Sequence, residues 1–359
     1  MTSDGTHIGD ATSRLHSISE LTILKIIALI LLIFFHSDLA VVYPKIMNPI
    51  QWYLLSIFFF TGGYLAYSSF HSRGKSLRCF FKSKIQTLYV PFVIAVLFYL
   101  VLEAAMGAKV GPLHVVSQVS MLNVFADLNA AYNWSTLWFI PFLLLFMAIT
   151  CVLEKYVKST KKQLLVISAV LIGTSLLWVY NSPLRFDSLF SQYLLVFVFG
   201  FYTSKLSLYE KLMTYKTAFF AIPTAIFFSF DLSSLFNYNT TFNALQAQFY
   251  FNCRSIMLTL SLVLLTLMIL RKIKIPIHGL GKQMVDRSAF IYLSEPFISF
   301  VILNQVFGQM KCFAINDIMF YIYQAARIVV LLIIVPLGFM VWDYRNKYHV
   351  WTGFLKKFM

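Results

Sequence analysis

The sequence predicts an all-α fold, a polytopic membrane helix bundle with about ten transmembrane helices. Hydrophobic residues make up 59% of the 359 residues and charged residues only 12%, whereas about a quarter of a soluble domain is charged. Apolar stretches recur along the chain at lengths near the roughly 20 residues that a helix needs to cross a bilayer. A soluble globular fold is therefore excluded.

Each predicted transmembrane helix corresponds to one apolar stretch. In chain order they cover residues 21–42, 50–67, 88–106, 136–153, 163–180, 189–203, 217–236, 253–270, 288–307 and 322–342. The second and sixth stretches are short and contain glycine, which predicts helices that are tilted, broken or buried against other helices. No link is long enough for a second domain, so we predict a cytoplasmic segment at 1–20, one membrane domain at 21–342 and a basic cytoplasmic tail at 343–359.

The distribution of Lys and Arg predicts the orientation in the membrane. Of the 29 basic residues, 22 lie in the N-terminal segment, the tail and every second link, and four lie in the alternate links. Basic residues concentrate on the cytoplasmic side of membrane proteins. Both termini are therefore predicted to be cytoplasmic, and the net charge of +15 is explained without a nucleic-acid partner.

The N-terminal segment and the cysteines argue against two further features. Residues 1–20 are polar and lack the short apolar core and small-residue cleavage site of a signal peptide. The four cysteines show no metal-ligand spacing, so no metal site is predicted. Cys253 and Cys312 both fall near the outer side, where a disulfide is geometrically possible, although buried free thiols are the favoured interpretation.

Two ionisable residues lie within the first apolar stretch. Ten residues separate Lys25 from His36, none of them polar, and a helix places the pair about 16 Å apart along its axis. Ionisable residues inside a membrane indicate a functional site. The structural alternative is that Lys25 extends to the inner interface while His36 caps the outer end of the helix.

Polar residues at the outer ends of the predicted helices indicate where a substrate binds. Asp38, Trp138, Arg254 and Arg327 are all expected there, together with His36. A base, an acid, guanidinium groups and aromatic rings suit a cavity for a sugar-like acceptor. A belt of interfacial polar and aromatic residues is the alternative explanation.

A second set of residues is expected near the cytoplasmic side. Lys25, Lys82 and Lys84 offer positive charge suited to the phosphates of a cofactor, although basic cytoplasmic links occur in most membrane proteins. Glu295 is expected about two turns into the ninth helix. A carboxylate there needs a partner, for which Lys25 and Lys84 are candidates.

The chain lacks the motifs of several other protein classes. It contains no GxxxxGK[ST], no GxGxxG, no HExxH and no paired acidic metal motif. An ATP-driven pump and a membrane metalloprotease are therefore disfavoured. The two halves also show no repeat of the kind that many secondary transporters contain.

Five short motifs, in order along nearly the whole chain, resemble the membrane-bound acyltransferase family 3, whose ten-span members O-acylate extracytoplasmic glycans and other acceptors. The first helix of that family carries Arg, Ala and His at the places of Lys25, Ala28 and His36. The other resembling segments are FFFTGGYL (58–65), KIQTLYVPF (84–92), LWFIPFLL (137–144) and LGKQMVDRSAFIYLSEPF (280–297). No single motif is specific, and the resemblance rests on their order and number.

Three positions depart from the family pattern. Lys25 stands where the family has Arg, Thr87 replaces the second Arg of a basic pair, and Glu295 replaces a late His. Lys keeps the charge of Arg but lacks its two-pronged donor geometry. The departures resemble a divergent branch, similar to the capsule and exopolysaccharide acetyltransferases.

The resemblance implies a membrane O-acyltransferase, most simply an O-acetyltransferase, in the bacterial cytoplasmic (inner) membrane. It implies acetyl-CoA as the acyl donor, and a hydroxyl of a surface polysaccharide or of its lipid-linked precursor as the acceptor, with membrane lipid as a further partner. His36 would be the general base or a transient acyl carrier. Lys25, Lys82 and Lys84 would hold the donor's phosphates or polarise its carbonyl, and Glu295 would orient a lysine.

Two alternatives remain open at this point. A transporter or flippase of a polar lipid-linked sugar would use the same buried charges as a binding site and needs no acyl donor. A peptidoglycan or small-molecule acyltransferase of the same family would differ only in its acceptor.

Overall fold

The computed structural model describes residues 6–36, 44–105, 107, 109–122, 138–179, 188–230, 241–273, 279–298 and 318–347. All regular secondary structure in these residues is helical, which confirms the predicted all-α class. The α-helices in chain order are α1 (Thr6–Phe35), α2 (Pro44–Ser72), α3 (Leu77–Lys84), α4 (Val90–Ala105), α5 (Pro112–Val119), α6 (Phe139–Tyr156), α7 (Thr160–Val179), α8 (Ser188–Lys205), α9 (Tyr209–Leu212), α10 (Tyr215–Ser229), α11 (Thr241–Ile273), α12 (Leu280–Asp286), α13 (Ser288–Pro296), α14 (Ile318–Val329) and α15 (Val335–Lys347). Short π-helical turns, Ile85–Tyr89 and Val330–Ile334, join α3 to α4 and α14 to α15.

Four helical segments in the described part of the chain are long and apolar enough to cross a membrane. They are Leu77–Ala105, Phe139–Tyr156, Phe249–Ile273 and Ile318–Met340. These segments support the predicted membrane character. The other predicted stretches also coincide with helix over their described parts, but the count of about ten and the cytoplasmic location of the termini stay predictions.

The chain divides into two compact units. Unit 1 comprises Met1–Leu54 and Ile273–Met359, and unit 2 comprises Leu55–Lys272. Because the division falls within α2, this helix contributes residues to both units.

In unit 1, the buried face of α1 follows the helical period. Leu21, Leu24, Ala28 and Leu32 are each at most 3% exposed, and their spacing of three or four residues places them on one side of the helix. α1 contacts α12 and α13, and α12 also contacts α15. The first predicted transmembrane helix is therefore packed against the last part of the chain.

α12 precedes the helix that contains Glu295. Residues 280–286, which the sequence places in a link, are helical and pack on α1 and α15. α13 begins at Ser288, the predicted start of the ninth helical stretch. Glu295 lies about two turns into α13, as the sequence predicts.

In unit 2, α2 and α8 are in backbone contact. A side chain at Gly63 would overlap the main-chain oxygen of Phe197, and one at Gly200 would overlap the main-chain oxygen of Phe60. Small residues allow such close approach of helices in membranes. Of the predicted options for the second and sixth helices, burial against another helix is the one the structure confirms. Gly63 belongs to the FFFTGGYL motif, which therefore has a packing role.

A polar network joins the ends of four helices in unit 2. The Oε1 atom of Glu154 lies 3.0 Å from Nζ of Lys75, and its Oε2 atom lies 2.6 Å from Nζ of Lys205. The side-chain amide of Gln163 donates to Glu154 Oε2 at 3.1 Å, and Tyr202 donates its hydroxyl to Gln163 Oε1 at 2.6 Å. Lys75 and Lys205 belong to the links that are predicted to be cytoplasmic. They hold the buried carboxylate of Glu154 between α2, α6, α7 and α8.

A buried hydrogen-bonded pair links α4 to α5. The Nε2 atom of His114 lies 3.2 Å from Oε2 of Glu103, and the two side chains are 8% and 1% exposed. α5 exposes the apolar Leu113 and Val116 and buries its polar residues. An apolar outer face and a polar inner face suit a helix that contacts lipid rather than water.

The described cysteines are free thiols. Cys79 is exposed, Cys151 is buried and Cys253 is partly buried. The free thiol of Cys253 agrees with the favoured interpretation, and Cys312 lies outside the described residues.

Candidate active site at the end of the first helix

His36 lies directly after the last residue of α1. Its main-chain N–H donates to the carbonyl of Leu32 at 2.9 Å, which continues the helical bonding by one residue. The side chain is 15% exposed. The end of α1 therefore holds an imidazole that is mostly enclosed but still accessible.

The imidazole of His36 pairs with the carboxylate of Glu295 in α13. Nδ1 of His36 lies 3.2 Å from Oε2 of Glu295, and the glutamate side chain is 1% exposed. A buried carboxylate needs a compensating charge and hydrogen-bond donors. The histidine supplies one donor, so a second group must balance the charge.

Arg327 supplies that second group. One terminal nitrogen, Nη2, donates to Oε1 of Glu295 in a buried ion pair. The other, Nη1, donates to the main-chain oxygen of His36 at 2.6 Å. Carbonyl groups in the last turn of a helix lack partners within the helix and carry partial negative charge. Arg327 therefore binds both the carboxylate and the end of α1.

Arg327 reaches this position because it belongs to the buried face of α14. Phe320, Tyr323, Gln324 and Arg327 are all at most 4% exposed, and their spacing of three and four residues places them on one side of the helix. The packing of α14 thus directs the guanidinium inward. His36, Glu295 and Arg327 form a cluster whose three members come from α1, α13 and α14.

The geometry of the cluster leaves one nitrogen of His36 available for chemistry. An ionised carboxylate only accepts hydrogen bonds, so Glu295 accepts from Nδ1–H of the imidazole. The ring nitrogen Nε2 then carries the lone pair, and no described residue forms a hydrogen bond with it. A carboxylate that fixes the tautomer of a histidine in this way is the arrangement of general-base and nucleophile sites.

The structure bonds Glu295 to His36 and Arg327, two partners that the sequence did not indicate. The predicted pairing of Glu295 with Lys25 or Lys84 stays a prediction. Lys25 lies half-buried on α1.

Two of the lysines predicted to bind the donor, Lys82 and Lys84, lie in unit 2. Lys82 is exposed on α3, and Nζ of Lys84 lies 5.4 Å from the centre of the Phe80 ring. Arg73, which the sequence interpretation did not include, donates from Nη2 to the hydroxyl of Ser83 at 3.4 Å. The end of α3 therefore carries Lys82 and Lys84 and is contacted by Arg73. The density of basic residues between 73 and 84 was the available signal for Arg73.

Trp138 and Arg254, predicted to bind substrate, have structural contacts in unit 2. The Trp138 ring lies 6.4 Å from that of Phe59 and 5.9 Å from that of Tyr193. Arg254 donates to the main-chain oxygens of Phe228 and Ser229, at 3.2 Å and 3.3 Å, at the end of α10. Asp38 lies outside the described residues. Roles in substrate binding stay predictions for all three.

An α-helical membrane protein that buries an imidazole, a carboxylate and a guanidinium in one cluster has the components of a group-transfer enzyme. The model of the acyltransferase domain of acyltransferase family 3 matches residues 18–342, so the chain belongs to that family. It is therefore a membrane acyltransferase that transfers groups other than aminoacyl groups. No curated protein and no solved structure matches the chain.

Proposed function

We propose that the protein transfers an acyl group, most simply acetyl, from acyl-CoA on the cytoplasmic side to a hydroxyl of a surface polysaccharide or of its lipid-linked precursor. The proposed location is the bacterial cytoplasmic (inner) membrane. The observation that carries this proposal is the contact between His36 and Glu295, because transfer to a hydroxyl needs a base that removes the hydroxyl proton.

In the proposed reaction, Nε2 of His36 takes the proton of the acceptor hydroxyl while its oxygen attacks the thioester carbonyl. A C–O bond forms and the C–S bond breaks. The proton held on Nε2 then passes to the leaving thiolate, so the imidazole returns to its starting state. In the alternative with a covalent intermediate, Nε2 attacks the thioester carbonyl, an N–C bond forms, the C–S bond breaks and the thiolate leaves. The acceptor oxygen then attacks the acyl group, the N–C bond breaks, and the hydroxyl proton passes to the thiolate. Glu295 accepts from Nδ1–H and compensates the positive charge on the ring in both versions.

For the acyl donor, the cationic residues at the end of α3 support binding of phosphates. Lys82 is accessible, while Lys84 and Arg73 lie close to the same segment. Phosphate oxygens favour such combinations of ammonium and guanidinium donors. We propose these residues as contacts of acyl-CoA, which is a substrate and not a resident cofactor. The role of Lys25, which lies in unit 1, stays a prediction.

The proposed contacts with the acyl acceptor rest on the types of side chain. Trp138 is partly exposed at the start of α6, where an aromatic face suits a sugar ring. Asp38 follows His36 by two residues in the sequence. We propose both as acceptor contacts, and Arg254 as a residue that supports the outer part of unit 2.

The proposal is tested by following a labelled acetyl group. Membranes from cells that make the surface glycan are incubated with acetyl-CoA carrying label in the acetyl group, with and without the protein. We expect label in the glycan fraction only when the protein is present, and release of that label as acetate by mild alkali, because an O-ester is alkali-labile. A transporter or flippase would move the glycan precursor without incorporating label. Absence of protein-dependent label contradicts the proposed function.

A further inference from the structure

Arg327 stands out because both terminal nitrogens of its guanidinium are bonded inside the protein. The side chain is 3% exposed, and these nitrogens donate to Glu295 and to the main-chain oxygen of His36. The guanidinium therefore offers little surface to a substrate group. The sequence interpretation had placed Arg327 among the substrate-binding residues.

We propose that Arg327 is a positioning residue, which acts on His36 through Glu295 and through the end of α1 and does not bind the acceptor. This inference rests on the proposed role of His36 as base or acyl carrier. Arg327 thus joins His36 and Glu295 as a third member of the site, with a function different from theirs.

The first part of this function concerns the carboxylate. An isolated carboxylate in an apolar interior tends to take up a proton and lose its charge. Protonated Glu295 would be a poorer acceptor for Nδ1–H, and the imidazole could then bind its proton on either nitrogen. The guanidinium beside Oε1 removes this tendency, because it compensates the negative charge at the side opposite His36.

The second part concerns the orientation of the histidine. The bond from Nη1 to the His36 carbonyl holds the residue that carries the imidazole, and the bond from Nη2 holds the imidazole's partner. A guanidinium is planar and holds its N–H donors at fixed angles. The bond from Nη1 and the bond from Nη2 therefore constrain each other's geometry. The ammonium of a lysine has no such fixed geometry. Arg327 thus couples the main chain of His36 to the carboxylate that orients its ring.

The test compares Arg327→Met in the wild-type and in the Glu295→Gln background, with label transfer from acetyl-CoA to detergent-extracted glycan as the readout. In the wild-type background we expect kcat to fall by about 100-fold, with the KM values for acetyl-CoA and glycan unchanged. In the Glu295→Gln background the same change should cost less than about tenfold, since only the bond to the His36 carbonyl is then left to lose. An equal loss in both backgrounds, or a raised KM for glycan with kcat retained, overturns the proposal.

Three further measurements separate positioning from folding. Arg327→Lys should recover only part of the activity, and added methylguanidine should raise the activity of Arg327→Ala but not that of His36→Ala. The imidazole nitrogens of His36, labelled with ¹⁵N, should report one tautomer in the wild type and a mixture in Arg327→Met. A single unchanged tautomer in the variant contradicts the proposal even if activity falls.

The outcomes also distinguish this proposal from the proposed function. If the wild type transfers label and Arg327→Met does so equally well, the positioning role is wrong and the proposed function stands. If the wild type transfers no label, the proposed function is wrong, and the positioning role that rests on it is overturned as well.

Discussion

Nδ1 of His36 lies 3.2 Å from Oε2 of Glu295, although 259 positions separate the two residues in the chain. Neither residue alone defines chemistry in a membrane helix, because each has a plausible structural role. Together they form a base whose tautomer is set by a buried carboxylate. The contact explains why a charged residue is retained inside α13, where an apolar residue would cost less.

Replacement of His36 by Ala should abolish most of the label transfer from acetyl-CoA. General acid and base groups contribute about 10²- to 10⁴-fold to rates, so we expect a loss in that range with the protein still inserted in the membrane. His71→Ala is the matched control, because His71 is exposed at the end of α2. Full activity in His36→Ala contradicts the assigned role.

Replacement of Glu295 by Gln should lower kcat by about 10²- to 10⁴-fold, because an amide can stabilise the wrong tautomer of the imidazole. Initial rates at saturating acetyl-CoA measure this effect. Glu210→Gln serves as the control, since Glu210 pairs with Arg271 at an exposed site at 2.7 Å. Similar losses in the two variants would point to a general effect of removing a carboxylate.

The backbone contact between α2 and α8 predicts an effect of added side chains. Gly200→Ala forces a methyl group against the main-chain oxygen of Phe60, and overpacking of this kind costs about 1–3 kcal/mol or more. The melting temperature in detergent should fall. Gly173→Ala is the control, because open space surrounds Gly173 and alanine favours helices by about 0.5–1 kcal/mol. Equal melting temperatures in both variants contradict the close approach.

The pair of Glu103 and His114 predicts a non-additive effect on stability. His114→Leu leaves the buried Glu103 carboxylate without its partner, which costs about 3–5 kcal/mol. The double change Glu103→Leu and His114→Leu removes both buried polar groups, so it should restore most of the lost stability. Thermal unfolding in detergent compares the two variants. A double variant less stable than His114→Leu would show that the pair itself is net stabilising.

The pair of Lys75 and Glu154 predicts a dependence of stability on alkaline pH. The hydrogen bond to Glu154 raises the pKa of the Lys75 ammonium above its usual value. Because the pKa is raised in the folded state, the Lys75–Glu154 pair stabilises the protein fully at any pH below the pKa of an unfolded lysine, about 10.4. This stabilisation is lost as the pH rises through the higher pKa of the folded state. The effect is small, because the Lys75 side chain is 42% exposed and solvent screens the pair.

Lys75→Met measures this effect through the melting temperature as a function of pH. The variant should be slightly less stable than the wild type between pH 7 and about pH 10, and the difference should shrink at higher pH. Lys158→Met is the control, because Lys158 is exposed on a neighbouring link. A difference that grows with rising pH would reverse the predicted sign.

Particular residues show what local sequence could predict. The helical class and most helix positions followed from apolar length, since a chain in lipid must satisfy its backbone within helices. His36 was identifiable because an ionisable residue in an apolar run is costly. The contacts of Glu295 with His36 and Arg327 were not identifiable, because they join residues from three distant segments of the chain.

The sequence by itself determined the class of the protein, its membrane character and the residues that are costly in an apolar helix. These properties depend on the hydropathy of short stretches and on residue type, which need no knowledge of neighbours. Only the tertiary structure decided that Glu295 and Arg327 meet His36, and that Lys75 and Lys205 meet Glu154. Such contacts depend on which faces of distant helices pack together, and that packing is a property of the whole bundle and not of any one segment.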